Sequence, residues 1–172
     1  MRTSEHAKAY DRQLYGLLHV AEDDLRQASF FAAHILKKGW HFEPWEKRLT
    51  VYMQQAAFTT ALAIAYSRPF TESRGWPKFP MRLLVSFNAE QRKLHKRVLE
   101  LRNLIYAHSD VGGRVIRPVS FEGYPTTIEA LPPMRFTRDE ITELQSMIKI
   151  AQNSIGVRKR CTQARADSCR CR

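Results

Sequence analysis

The feature of this sequence that most limits its fold is a helical spacing of apolar residues that proline and glycine interrupt at only a few places. Apolar residues recur at three- and four-residue steps along residues 5–38 and continue a period near 3.6 along residues 44–66. The spacing returns at residues 94–105 and 141–155. Three prolines and one glycine within residues 67–80 indicate a loop. The pattern predicts an all-α fold of four to five helices.

Short motifs at the ends of these segments support the predicted helices. Gly39 is placed to end the first segment, which is compatible with one long helix or with two that break near residues 19–24. The pairs Asn88–Gln91 and Thr137–Glu140 have the spacing of capping boxes and predict the starts of the third and last helices. Gly156 is expected to end the last helix.

A short β-hairpin is expected between the third helix and the last. Residues 114–121 and 126–131 read as extended segments on either side of a turn at Glu122–Gly123. The length of 172 residues suits one domain. We therefore predict a helical domain over residues 1–156, followed by a basic, disordered tail over residues 157–172.

The charge balance favours binding to polyanions without identifying one. The chain has 28 basic and 17 acidic residues and a formal net charge of +11, which concentrates RNA, DNA, anionic lipid or an acidic protein around it. No segment reaches the 18 to 20 strongly apolar residues that a membrane span needs, and residues 1–13 lack the apolar core of a signal peptide. A cytoplasmic protein without a membrane partner is expected.

Metal and cofactor chemistry have little support in the sequence. Cys161, Cys169 and Cys171 offer one Cys-x-Cys pair with no nearby histidine and no fourth thiol, so they lack the ligand set of a structural zinc site. We also find no convergent carboxylate cluster of the kind that a metal-dependent nuclease uses. Neither a metal nor a cofactor is predicted.

The segment whose side chains are best suited to catalysis is residues 101–110, LRNLIYAHSD, at the end of the third predicted helix. Arg102 offers a planar set of donors that stays charged, and the imidazole of His108 can accept and donate a proton near neutral pH. These groups suit phosphodiester cleavage in which the 2′-hydroxyl of RNA attacks the adjacent phosphorus. Such a reaction needs proton transfer and charge stabilisation but no metal.

The spacing of Arg102 and His108 raises a geometric problem. Six residues on an ideal helix turn through about 600°, which leaves these two side chains about 120° apart. Either the helix unwinds before His108, which Gly112–Gly113 would permit, or two copies of the segment meet across a twofold axis and share their side chains. The second arrangement predicts a homodimer.

An arginine followed by asparagine and then by an Ala-His pair, with five residues between the arginine and the histidine, resembles the signature of the HEPN superfamily (higher eukaryotes and prokaryotes nucleotide-binding). Together with the string at residues 66–71, YSRPFT, the segment looks most like the abortive-infection and toxin branch. The resemblance is strongest over residues 44–110. It implies an all-α antiparallel helical bundle, a dimer with the motif at a shared cleft, and cleavage that leaves a 2′,3′-cyclic phosphate and a 5′-hydroxyl. Some relatives are toxins neutralised by a nucleotidyltransferase-type antitoxin, and others are catalytically silent.

The resemblance also implies roles for individual residues. It makes His108 the acid and base, Arg102 the phosphate contact, and Asn103 the residue that positions one or both of them. Asp110 either orients the imidazole or is an ordinary turn residue. Tyr106 either stacks on a base or packs in the core.

Other basic residues are candidates for RNA binding. Arg68 and Arg74 lie in the proline-rich loop beside aromatic residues, as in single-strand binders, although those aromatics would equally plug the bundle. Arg92 and Lys96 precede the motif on its helix and either line an approach path or form a solvated face. His95 is expected to be a hydrogen-bonded structural histidine.

These observations predict a metal-independent endoribonuclease of a toxin or phage-defence system. The alternative is a catalytically inactive helical module that binds RNA or a protein through the same basic surface. The expected partners are RNA, a second copy of the chain and an antitoxin of the nucleotidyltransferase type.

Overall fold

The computed structural model describes residues 2–41, 49–72, 74–103, 115–130 and 136–168. These residues form a helical bundle with one small sheet, which confirms the predicted fold class. The α-helices are α1 (Arg2–Lys38), α2 (Leu49–Ser67), α3 (Ala89–Leu101) and α4 (Arg138–Ser168). Two short 3-10 turns, Arg68–Phe70 and Met81–Leu84, lie between α2 and α3.

The predicted hairpin is present between α3 and α4. Strands β1 (Val115–Phe121) and β2 (Tyr124–Ala130) pair in antiparallel register, with Phe121 opposite Tyr124. Glu122 and Gly123 form the turn and have φ values of 49° and 82°. Glycine adopts this left-handed conformation without steric cost, which explains why the chain reverses here.

The core lies along the apolar stripe of α1, which packs mainly against α2 and α4. The buried positions of α1 repeat every three or four residues, as its sequence predicts. They are Leu14, Leu17, Leu18, Ala21, Leu25, Ala28, Ala32 and Ile35. Complete burial of one leucine or isoleucine contributes roughly 1.5–3 kcal/mol, so this stripe is a major source of stability.

The helices of two neighbouring pairs, α1–α2 and α3–α4, run antiparallel. As α1 advances from Asp24 to His34, its contacts on the α2 side recede from Arg68 to Phe58. The same reversal relates α3 to α4, through the pairs Gln91–Glu143 and Arg97–Glu140. The antiparallel arrangement therefore matches the prediction for both pairs.

The helix ends follow the predicted motifs. α1 is one continuous helix, and it ends at Gly39, where φ is 66° and the Trp40 amide donates to the Ile35 carbonyl at 2.9 Å. The Asn88 side chain accepts from the Gln91 amide at 2.8 Å, and the Gln91 side chain accepts from the Asn88 amide at 3.0 Å. The pair Thr137–Glu140 forms the same two bonds at the start of α4. Both capping boxes are confirmed.

The prediction that Gly156 ends the last helix is wrong, because α4 continues to Ser168. The expected disorder from residue 157 therefore does not hold for residues 157–168. Thr162 is only 3% exposed, and Lys159 donates to Glu22 of α1 at 2.6 Å. These contacts offset the cost of a glycine inside a helix, about 1 kcal/mol. Residues 169–172 lie outside the described residues.

Helix α2 has no charged residue along its length. Its inner face buries Leu62 and Tyr66, whereas Met53 on the outer side is 59% exposed. Within the described segments, none of the helices has the length and apolar character needed to cross a bilayer.

Candidate functional site

The C-terminal end of α3 presents the first two of the predicted catalytic residues, Arg102 and Asn103. Arg102 follows Leu101 with helical backbone angles, and its amide donates to the carbonyls of Val98 and Leu99. Arg102 and Asn103 then continue in a wider, π-type turn. Such turns are uncommon and often occur at functional sites.

Arg102 and Asn103 form a hydrogen-bonded pair. Nη1 of Arg102 donates to Oδ1 of Asn103 at 2.8 Å, and the Asn103 side chain is exposed. The bond uses the amide oxygen of Asn103. Among the described residues, the amide nitrogen and the other guanidinium donors have no side-chain partner, so they can meet an anion. Within the described residues, Arg102 forms no ion pair with a carboxylate. The pair is thus a local cluster of donors rather than half of a surface ion pair.

The remaining residues of the predicted site are Tyr106, His108 and Asp110, and all three lie outside the described residues. Gly112–Gly113, where the helix was expected to unwind, lies outside them as well. The convergence of Arg102 with His108 and the shared dimer cleft therefore stay predictions.

Arg92 and Lys96 occupy the same side of α3 as Asn103. Their positions fall within about 40° of one another on a helical wheel. Arg92 donates to the Val85 carbonyl at 3.1 Å, and Lys96 lies 3.7 Å from Glu100, in both cases at the exposed surface. An exposed ion pair contributes at most about 1 kcal/mol, so a phosphate can replace Glu100 as the partner of Lys96. With Arg92 and Lys96 against Glu100, this face has a net positive charge on the side of Asn103.

Arg68 has a structural partner that the sequence interpretation missed. Its Nη1 lies 3.3 Å from Oδ1 of Asp24, a largely buried carboxylate on α1. Burial raises the pKa of Asp24, and the bond from Arg68 opposes that shift. Asp24 lies within the apolar stripe of α1, between Ala21 and Leu25. This position in the sequence could have predicted that its carboxylate is buried. Arg68 neutralises this acid, a role distinct from the predicted contact with RNA.

The proline-rich loop docks on α1 through Trp76. A β-carbon at Gly16 would lie 2.7 Å from Cζ3 of Trp76, so the indole packs where only glycine leaves room. Phe70 packs against the core. These contacts favour the interpretation in which the loop aromatics plug the bundle. Arg74 in the same loop is exposed.

His95 is a buried histidine with a hydrogen-bonded partner, as predicted. A bond of 2.9 Å joins its Nδ1 to the hydroxyl of Tyr66, and the side chain is surrounded by the rings of Phe70 and Phe87. His95 is 8% exposed, and burial lowers its pKa. Because it lies seven residues before Arg102 on α3, it anchors the helix that presents the donor pair.

Folding stability is expected to fall between about pH 7.5 and about pH 5.5 because of His95. Its folded pKa lies below the ordinary value of 6.5, so the unfolded chain binds a proton that the folded protein excludes. Urea unfolding at both pH values measures the loss. His95→Gln, which keeps hydrogen-bonding groups but does not titrate, should lose less stability over this interval. Equal losses in the two proteins would contradict the assignment.

A cleft lies along α3 from its start at Asn88 to Arg97. It has a volume of about 460 Å³ and is lined by Asn88, Glu90, Lys93, Leu94, Arg97, Asp139, Glu140 and Glu143. Glu90 is twelve residues from Arg102, or about 18 Å along the helix axis. The four carboxylates that line the cleft outnumber its two cations, so the cleft repels phosphate. No group of three or more potential metal ligands occurs in the described part of the chain.

Comparisons of the chain with family models, curated proteins and solved structures find no match.

Proposed function

We propose that this chain is a metal-independent endoribonuclease of a toxin or phage-defence system. The observation that supports it most directly is the hydrogen-bonded pair of Arg102 and Asn103, which presents donors at the end of α3. The resemblance of residues 101–110 to the HEPN motif assigns the phosphate contact to Arg102 and the positioning of Arg102, His108 or both to Asn103. The cationic face of α3 gives an anionic strand a path to this end of the helix.

In the proposed reaction, the 2′-hydroxyl oxygen forms a bond to the adjacent phosphorus while the bond from phosphorus to O5′ breaks. Negative charge grows on the non-bridging oxygens, where the guanidinium of Arg102 donates while Asn103 holds it in place. The bond between these residues holds the donors before the substrate arrives, so little reorganisation accompanies the reaction.

Proton transfer is assigned to His108 through the resemblance. The imidazole takes the proton from the 2′-hydroxyl and a protonated imidazole delivers one to O5′, so the products are a 2′,3′-cyclic phosphate and a 5′-hydroxyl. Because Arg102 and His108 do not share a face of one helix, we propose a homodimer in which two segments meet. The cytoplasm is the proposed location, and a nucleotidyltransferase-type antitoxin is the proposed inhibitor.

The identity of the products tests this proposal. Purified protein incubated with RNA in excess chelator should produce fragments with cyclic-phosphate and 5′-hydroxyl ends, because the nucleophile belongs to the substrate. A strand with one 2′-deoxynucleotide at the cleaved position should resist cleavage there and be cut elsewhere. Cleavage of the deoxy position, or dependence on a divalent metal, would reject the mechanism. Binding without cleavage would instead support the inactive RNA-binding module.

A further inference from the structure

A second group of residues suited to RNA lies where the end of α1 meets α2. It comprises five aromatic side chains in mutual contact, here called the aromatic cluster: Phe30, Phe31, His34, Trp40 and Phe58. The rings of His34 and Phe58 are stacked, with centroids 4.7 Å apart and planes 15° from parallel. Trp40 lies 5.1 Å from Phe58 and 5.3 Å from His34.

Phe30 is the most solvent-exposed phenylalanine of the aromatic cluster. Phe31, Trp40 and Phe58 pack partly against the core, whereas Phe30 is 61% exposed. Its ring lies 5.7 Å from Phe31 and 5.9 Å from His34, so the cluster supports it from one side. The other side offers solvent a rigid aromatic face.

Within the described parts of α1 and α2, the charges beside the aromatic cluster are positive. Lys37 and Lys38 form the last turn of α1, and both are exposed. Residues 25–41 and 49–71, which supply the cluster and its surroundings on both helices, include no aspartate or glutamate. An exposed aromatic face with lysines on the same helix and no acidic residue in these described stretches matches the combination that binds single-stranded nucleic acid.

We infer that the aromatic cluster binds single-stranded RNA, with an unpaired base stacked on Phe30 and the flanking phosphates on Lys37 and Lys38. The inference rests on the proposed function, since it gives the same substrate a second contact outside the cleavage site. Base stacking requires an open base face, which a duplex does not offer. A second copy of the chain is a poorer occupant, because a twofold contact would bring two pairs of lysines into one interface.

Binding of a short oligonucleotide tests the inference. The probe is a fluorescein-labelled hexamer of 2′-O-methyluridine, which has no free 2′-hydroxyl and so cannot be cleaved by the proposed reaction. Phe30→Ala should weaken its binding about tenfold, within the range expected for one base stacked on an aromatic ring. Replacing Lys37 and Lys38 with glutamate should weaken binding and flatten its dependence on salt.

Tyr10→Ala is the matched control. Tyr10 is an exposed aromatic on the same helix, twenty residues and about 30 Å from Phe30, and its removal should leave affinity unchanged. A duplex of equal length should bind more weakly than the single strand. Each variant is expected to fold, because Phe30 lies outside the core. Circular dichroism checks this.

Unchanged affinity in Phe30→Ala would overturn the inference. So would a change in oligomeric state on sedimentation without a change in affinity, because the face would then be a protein interface. The outcome is separable from that of the nuclease proposal, since the probe reports binding alone. An Arg102→Ala protein that binds the probe but does not cleave RNA would leave this inference standing.

Discussion

Replacing Arg102 with alanine is expected to lower the rate of RNA cleavage by about 10²- to 10³-fold, the usual effect of removing one preorganised donor from a developing charge. Arg102→Lys should recover only part of the rate, because an ammonium supplies a point charge without the planar fork of a guanidinium. Single-turnover rates at saturating protein measure the chemical step apart from binding.

The matched control for this variant is Arg82→Ala. Arg82 is an exposed arginine on the 3-10 turn before α3, so its loss removes the same charge from another part of the surface. Its cleavage rate should remain near that of the unmodified protein. Equal losses in the two variants would show that only net charge matters, and the assignment of Arg102 to the reacting phosphate would be wrong.

His108 is tested in the same assay. His108→Ala should abolish cleavage while fold and dimer persist, whereas His19→Ala, at a mostly exposed position on α1, should cleave normally. Unchanged cleavage in His108→Ala would reject the assigned mechanism. A monomer at micromolar concentration that still cleaves RNA would contradict the shared site.

Tyr66→Phe is expected to lower the free energy of unfolding by about 1–3 kcal/mol, the cost of leaving a buried polar group without its partner. The substitution keeps the ring among its aromatic neighbours and removes only the hydroxyl bonded to Nδ1 of His95. Urea denaturation measures the difference, provided that the slope with denaturant is unchanged.

Tyr124→Phe is the control for Tyr66→Phe. Tyr124 is a largely exposed residue of the hairpin, so removing its hydroxyl should change stability little. A stability loss in Tyr66→Phe no larger than in Tyr124→Phe would show that the buried bond contributes nothing net. His95 would then hold α3 through ring packing alone.

The proposed site combines a part that the sequence predicts with a part that it does not. The string from Arg102 to His108 is visible in the sequence because the residues are near one another along the chain. The bond between Arg102 and Asn103 depends on the conformation at the end of α3, and only the structure reveals it. The aromatic cluster was missed entirely, since Phe30 and Phe58 come from different helices.

By itself the sequence determined the helices, the hairpin turn at Glu122–Gly123, and the caps at Gly39 and Asn88–Gln91, because these depend on spacing and on bonds between residues a few positions apart. The tertiary structure alone decided features whose partners are distant in the chain. Asp24 meets Arg68, His95 meets Tyr66, and α4 continues through Gly156 because residues beyond it pack on α1. Local sequence patterns do not determine which helix faces pack together. Burial between those faces allows a helix to continue through a residue that disfavours helix, such as glycine.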